Sequence, residues 1–279
     1  EIEIPISILP QYGNKLQKQW FDNKIYDLRD LPYEAVESIK DKRWNFVEII
    51  RSHKENIEWI NPNFFEIIKN YSWPRYFFDI ESVTQAVPII PNTKPNDQFP
   101  FQYSVHKWEF EDQEVTLGDS KQFLEFNSEN MDRKYLEKLI IDLGTDGPIF
   151  AHTSSVETNA LSFLVKRKNC IDLIDKIENI QSRIIDTAVL FRENFYNVAM
   201  MGSYSLKDII KILPNASTYS SKNDQVGHGG DAMIKWFQYT NPNTTNKEKQ
   251  KIRENLTNYC AKDTLNLYLI FKYFLESHK

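Results

Sequence analysis

The run Tyr76-Phe77-Phe78-Asp79-Ile80-Glu81 constrains this chain most. Its aromatic and β-branched residues favour a strand. Residues two apart on a strand point to the same face, so Asp79 and Glu81 emerge side by side from an otherwise hydrophobic element. Two like charges on one face of a buried or half-buried strand are costly unless something compensates them. Two arrangements relieve the cost. A divalent cation sits between the carboxylates, or the strand ends there and the acids reach solvent.

The remainder of the chain has room to build a core around that strand. Its 279 residues allow one large domain, or one domain with a smaller companion. Aromatic residues make up 14% of it, which implies a substantial core. The net charge of -5 argues against a broad basic surface that grips duplex nucleic acid by charge alone. A small nucleic-acid site remains compatible with it, because bound Mg²⁺ supplies local positive charge. Cys170 and Cys260 show neither metal spacing nor a disulfide framework, as expected for a reducing compartment. There is no apolar run of membrane-spanning length and no signal peptide, so a cytoplasmic protein with no membrane partner is expected. The first residue is Glu1 rather than Met, which suggests a fragment or processed product with an upstream region of the same protein missing.

Residues 1–74 read as a mostly helical segment, and 75–279 as the main domain. Trp20, Leu28, Val36, Phe46 and Ile50 carry parts of a helical spacing in the first segment, and Asp30-Leu31-Pro32 looks like a helix start. No chemistry is visible there, and a packing appendage is expected. After the Asp79 strand, the prolines at 88, 91, 95 and 100 mark a loop. Phe101 to Trp108 alternates as a second strand, and Val115 to Phe126 supplies a third, antiparallel one. Asp132 to Leu143 is an amphipathic helix, and Pro148 to His152 a short buried strand. Thr153-Ser154-Ser155 are N-cap types opening a helix from about Val156 to Lys168, with Glu157 in its first turn. A helix over 171–181, another strand or a strand end at 184–188, a helix to Leu213, a Gly-rich loop over 222–230 and a helix over 231–239 follow. A long helix over about 247–276 closes the chain and carries Tyr259 and Asp263, four apart and hence on one face. This order predicts an α/β fold with a mixed sheet.

Phe78-Asp79-Ile80-Glu81, a carboxylate opening a helix after an apolar strand, and Tyr259-x-x-x-Asp263 near the end resemble the DEDD exonuclease superfamily in its tyrosine branch. More closely, Phe101-Gln102-Tyr103-Ser104-Val105-His106, Gly202-Ser203-Tyr204-Ser205-Leu206-Lys207 and Tyr259-Cys260-x-x-Asp263-Thr264 resemble a bacterial family known only as a domain of unknown function. The resemblance covers about residues 75–279. It implies a ribonuclease-H-like fold and a 3′–5′ exonuclease acting on single-stranded DNA or RNA ends through two Mg²⁺ or Mn²⁺ ions. It also assigns roles. Asp79 bridges both ions, Glu81 and Asp263 hold the ion that binds the nucleophile, Glu157 serves the second ion, and Tyr259 orients the attacking water. Four carboxylates without Cys suit Mg²⁺ or Mn²⁺ better than zinc.

The chain departs from the superfamily pattern where Glu157 replaces the usual Asp and His152 stands at the usual Asn. Asp186 is a rival fourth ligand, read as structural. His106 reads as a satisfied core histidine. Lys207 reads equally as a phosphate contact or a solvated lysine. His228 is a candidate substrate contact, with a plain loop the favoured reading. Phe99, Phe101 and Tyr103 read as core. Two alternatives stay beside the enzyme: a nucleic-acid-binding domain without turnover, and an interaction module of a larger nuclease.

Overall fold

Alternation along the second strand is strong because both of its faces are used. In a computed structural model of the chain, which describes residues 3–9, 14–37, 39, 45–126, 129–213 and 229–277, that strand runs from Gln98 to Trp108. The chain divides into two compact units: residues 71–186 with 217–272, and residues 1–70 with 187–216 and 273–279. The boundary expected near residue 74 falls close to the first crossing, while residues 187–216 and 273–279 join the N-terminal stretch.

The larger unit holds a five-stranded mixed sheet. Its strands are β1 (Arg75–Thr84), β2 (Gln98–Trp108), β3 (Lys121–Leu124), β4 (Ile149–Ala151) and β5 (Ile184–Asp186). The order is β3-β2-β1-β4-β5. β1, β2 and β3 are antiparallel neighbours, whereas β4 pairs parallel to β1 and β5 parallel to β4. This is the mixed sheet of a ribonuclease-H-like α/β fold. Helices α1 (Met131–Leu143), α2 (Ser155–Val165) and α3 (Ile174–Ser182) connect the strands. α4 (Gly229–Thr240) and α5 (Asn246–Glu276) follow.

The two faces of β1 explain where the helices go. Tyr76, Phe78 and Ile80 join Tyr103, Tyr135, Leu136 and Leu161 in the main core. Phe77 points the other way, and its ring centroid lies 5.9 Å from that of Tyr268 and 5.5 Å from that of Phe271, both on α5. Asp79 and Glu81 follow Phe77 at the strand period and so share its face. The sheet register slips only after Glu81.

β2 opposes Asp79 with Ser104 and Glu81 with Gln102. Gln102, Ser104 and His106 form a buried polar stripe that holds α5 down. Gln102 Nε2 donates to the Leu256 carbonyl at 2.8 Å, and Ser104 Oγ lies 2.9 Å from Thr264 Oγ1. His106 Nε2 donates to the Thr116 carbonyl at 3.1 Å, so Nδ1 must accept from Thr264 Oγ1 at 2.7 Å. Burial holds the imidazole below its ordinary pKa and therefore neutral. The expected core histidine is what the fold contains.

Most expected elements are present with shifted ends. The helix expected over 171–181 begins as a 3₁₀ turn at Ile171–Leu173, and the third strand is only four residues long. The strand at Ile184 stops at Asp186, and the next residues form a helix, Thr187–Asn194. The loop expected over 222–230 lies outside the described residues up to 228, and its last two residues already belong to α4.

The smaller unit is mostly helical, with a two-stranded antiparallel sheet that pairs Trp59–Ile60 with Phe195–Tyr196. Asp30-Leu31-Pro32 ends a 3₁₀ turn, Leu28–Asp30, and the next helix starts at Glu34. The ring of Phe274 meets those of Phe64 and Phe195 at 4.9 Å each. Gly202 is required in its place: its φ is +76°, and a Cβ there would lie 1.8 Å from the Ile8 carbonyl oxygen. Lys207 is half-buried in this unit. No helix among the described residues is long and apolar enough to cross a membrane.

Candidate metal centre

Strand and helix geometry bring two distant acids to Asp79. From Phe77 to Glu81 the strand advances about 13 Å. From Phe271 back to Asp263 the helix advances about 12 Å. With Phe77 packed on Phe271, the opposite ends of these two segments coincide, and Asp263 arrives at the Asp79/Glu81 pair. One carboxylate oxygen from each of Asp79, Glu81 and Asp263 lies within 4.8 Å of the others. Glu81 and Asp263 are buried, and Asp79 is half-buried.

The electrostatics at Asp79 are dominated by desolvation and like charge. Burial, then the carboxylates of Asp263, Glu81 and Glu157, push its pKa well above the ordinary range. The Cys260 thiol opposes this, donating toward Asp79 Oδ2 at 3.5 Å. Glu157 is 2% exposed, and burial pushes it up to about 8, with Asp186 adding to the shift. Its Oε2 has no hydrogen-bond partner among the described residues. A buried carboxylate oxygen without a donor is unfavourable unless a cation or water meets it.

Glu157 reaches this region because β4 ends at Ala151, opposite Phe78 and one residue short of Asp79 on β1. The turn into α2 carries Thr153 at φ +66°. A β-branched residue in that conformation is strained, and such strain concentrates at functional turns. Asp186, at the end of β5, braces the same turn by accepting from Ser154 N at 2.9 Å and Ser154 Oγ at 3.0 Å. It is thus occupied with a structural task. Glu157 lies outside the 4.8 Å cluster, although its charge acts on Asp79.

Tyr259 is 7% exposed, lies one helical turn before Asp263 and packs its ring in the main core. At the far side, α4 begins beside Glu81: a Cβ on Gly229 would lie 3.6 Å from Glu81 Oε2. The positive end of that helix favours the carboxylate. His228 lies outside the described residues. Phe101 and Tyr103 are fully buried, as expected of core residues.

Two contributors carry no site role in the sequence reading. Cys260 stands three residues before Asp263, on the same helical face, and that spacing is a signal that could have marked it. Tyr135 is fully buried, and its hydroxyl has no hydrogen-bond partner among the described residues. It feels the charges of Cys260, Glu157 and Asp79, an association that only the folded chain creates.

The donor set fits a hard divalent cation, since it offers carboxylate oxygens and an unmet buried oxygen on Glu157. Asp79, Glu81 and Asp263 would hold it, with Glu157 beside them.

Residues 76–205 are similar to a family described as Domain of unknown function (DUF2779). That stretch includes Asp79, Glu81 and Glu157 and ends before Tyr259 and Asp263. No curated protein and no solved structure matches the chain.

Proposed function

We propose that this chain is a metal-dependent 3′–5′ exonuclease, hydrolysing phosphodiester bonds at single-stranded nucleic-acid ends with two Mg²⁺ or Mn²⁺ ions. The observation that carries the reading is the convergence of Asp79, Glu81 and Asp263 within 4.8 Å from a strand and a helix far apart in sequence. The raised pKa of Asp79 supports it, because a carboxylate surrounded by carboxylates gains most from a cation. When bound, the ions supply positive charge for the phosphate oxygens and lower the pKa of water.

The protein groups have separable tasks in this reading. Asp79 would serve both ions, Glu81 and Asp263 would hold the one that supplies the nucleophile, and Glu157 would serve the other. Tyr259 orients the attacking water by its hydroxyl, from a helix that Gln102 and Thr264 fasten to the sheet. A phenol hydroxyl both donates and accepts hydrogen bonds, which suits that role.

End-labelled single-stranded DNA and RNA, incubated with Mn²⁺, test the proposal. A ladder shortened from the 3′ end, absent with Asp79→Ala, is the expected result. No cleavage of either, with no Mn²⁺ binding by calorimetry, would sink it. The placement of Glu157 outside the 4.8 Å cluster favours one second reading, a nucleic-acid-binding domain without turnover. That domain would hold oligonucleotide in EDTA and cleave nothing.

A further inference from the structure

A groove of about 1300 Å³ opens in the larger unit, away from the carboxylate cluster. Its walls come from the β1–β2 connection (Ile90, Pro91 and Asn92), the start of α1, and the end of α2 with the turn beyond it. The volume exceeds the roughly 300–1,000 Å³ of a small-molecule site. Phe99, Phe126 and Phe163 supply the apolar lining.

Arg167 builds the groove rather than serving a ligand. It donates from Nε to Asp132 Oδ2 at 2.7 Å and from Nη2 to the Pro91 carbonyl at 2.9 Å, and its guanidinium lies over the rings of Phe99 and Phe163. Asp132 is also met by Asn169 Nδ2 at 2.7 Å, so this charge pair is internally satisfied. The charges left on the lining are Lys166, Lys168 and Glu129. Both lysines are exposed, and neither side chain has a hydrogen bond or ion pair among the described residues. In a chain of net charge -5, two uncommitted cations two residues apart on the rim of an apolar groove are a local reversal of sign. Asn130 and Asn159 add side-chain amides with no hydrogen bond among the described residues.

We propose that this groove seats the body of a single-stranded oligonucleotide, a proposal that rests on the exonuclease reading for the strand's end. Lys166 and Lys168 meet phosphates, the Asn130 and Asn159 amides meet base edges, and the exposed part of Phe163 offers a stacking surface. The three features together fit a nucleic acid better than an acidic peptide, which has anions but no flat apolar bases. α2 links the two sites. Glu157 lies in its first turn and Lys166 caps its C-terminal end, roughly 13 Å further along the axis. A strand in the groove would therefore be held a few nucleotides from its reacting end.

The test is anisotropy of a labelled 12-nucleotide single strand in EDTA, comparing the unaltered chain with Lys166→Glu/Lys168→Glu. Both side chains are exposed, so the fold should tolerate the change, and unchanged Mn²⁺ calorimetry would verify that the carboxylate cluster is intact. The expected result is at least tenfold weaker binding, with the slope of log affinity against log salt smaller by about 1.4, two phosphates' worth for a single strand. A dinucleotide should be indifferent to the substitution. Unchanged affinity for the 12-nucleotide strand would overturn the assignment. So would equal displacement by a polyglutamate of the same length, which would point to an acidic peptide. Strand binding that needs the lysines, without Mn²⁺-dependent cleavage, would support the groove and reject the exonuclease.

Discussion

Asp132 and Asp79 are both acids in the same unit, and they have opposite surroundings. Burial would raise the pKa of Asp132, but Asn169, Arg167 and the Arg133 N–H all donate to it and hold its pKa below the ordinary value. Asp79 faces other carboxylates and a thiol, and its pKa is pushed well up. The fold thus supplies Asp132 with protein cations and donors, and supplies Asp79 with more negative charge. A carboxylate of the first kind braces structure. One of the second kind lowers the stability of the metal-free chain and is tolerated where a cation binds.

The largest expected effect comes from removing the satisfied acid. Asp132→Ala leaves Arg167, whose side chain is 15% exposed, without its carboxylate, and should destabilise the protein by about 3 kcal/mol in urea unfolding. A loss below about 1 kcal/mol would mean that the pair contributes no more than a surface bridge. The opposite sign is expected at the cluster. Asp79→Asn should stabilise the metal-free protein by about 1–2 kcal/mol while abolishing Mn²⁺ binding. Destabilisation in EDTA would break the comparison, because it would show that the negative charge on Asp79 is already compensated.

The smallest effect, per pH unit, belongs to Glu157. Its ordinary value is 4.5 and burial raises it to about 8 in the folded chain. Between those values the folded state retains a proton that the unfolded state has lost. Stability contributed by this group is therefore complete below about pH 4.5 and declines as pH rises toward about 8. The slope from this one group is at most about 1.4 kcal/mol per pH unit. Urea titrations across that range in EDTA should show a decline that Glu157→Gln flattens. An identical slope in the variant would remove Glu157 as its source.

Legibility of the site followed its periodicity. Asp79 and Glu81 were visible as a pair because strand geometry alone puts i and i+2 on one face. Tyr259 and Asp263 were visible because a helix repeats every 3.6 residues. The helical stretch 187–194 was missed because the apolar run before it reads as a strand that continues. The braces at Gln102, Ser104 and His106 were visible as an alternating strand, but not as the fastening of α5. A side chain's partner 154 residues away leaves no local mark.

The sequence by itself determined the α/β class, most of the elements in the sheet unit and the acids on each of them, since local propensity and period act over a few residues. Only the tertiary structure decided that Asp263 joins Asp79 and Glu81 while Glu157 stands outside their 4.8 Å cluster. It also decided that Asp186 braces a turn, and that residues 187–216 and 273–279 belong with the N-terminal stretch. Those outcomes depend on how a strand and a helix of different rise per residue are packed against each other. Here the packing of Phe77 on Tyr268 and Phe271 sets that alignment.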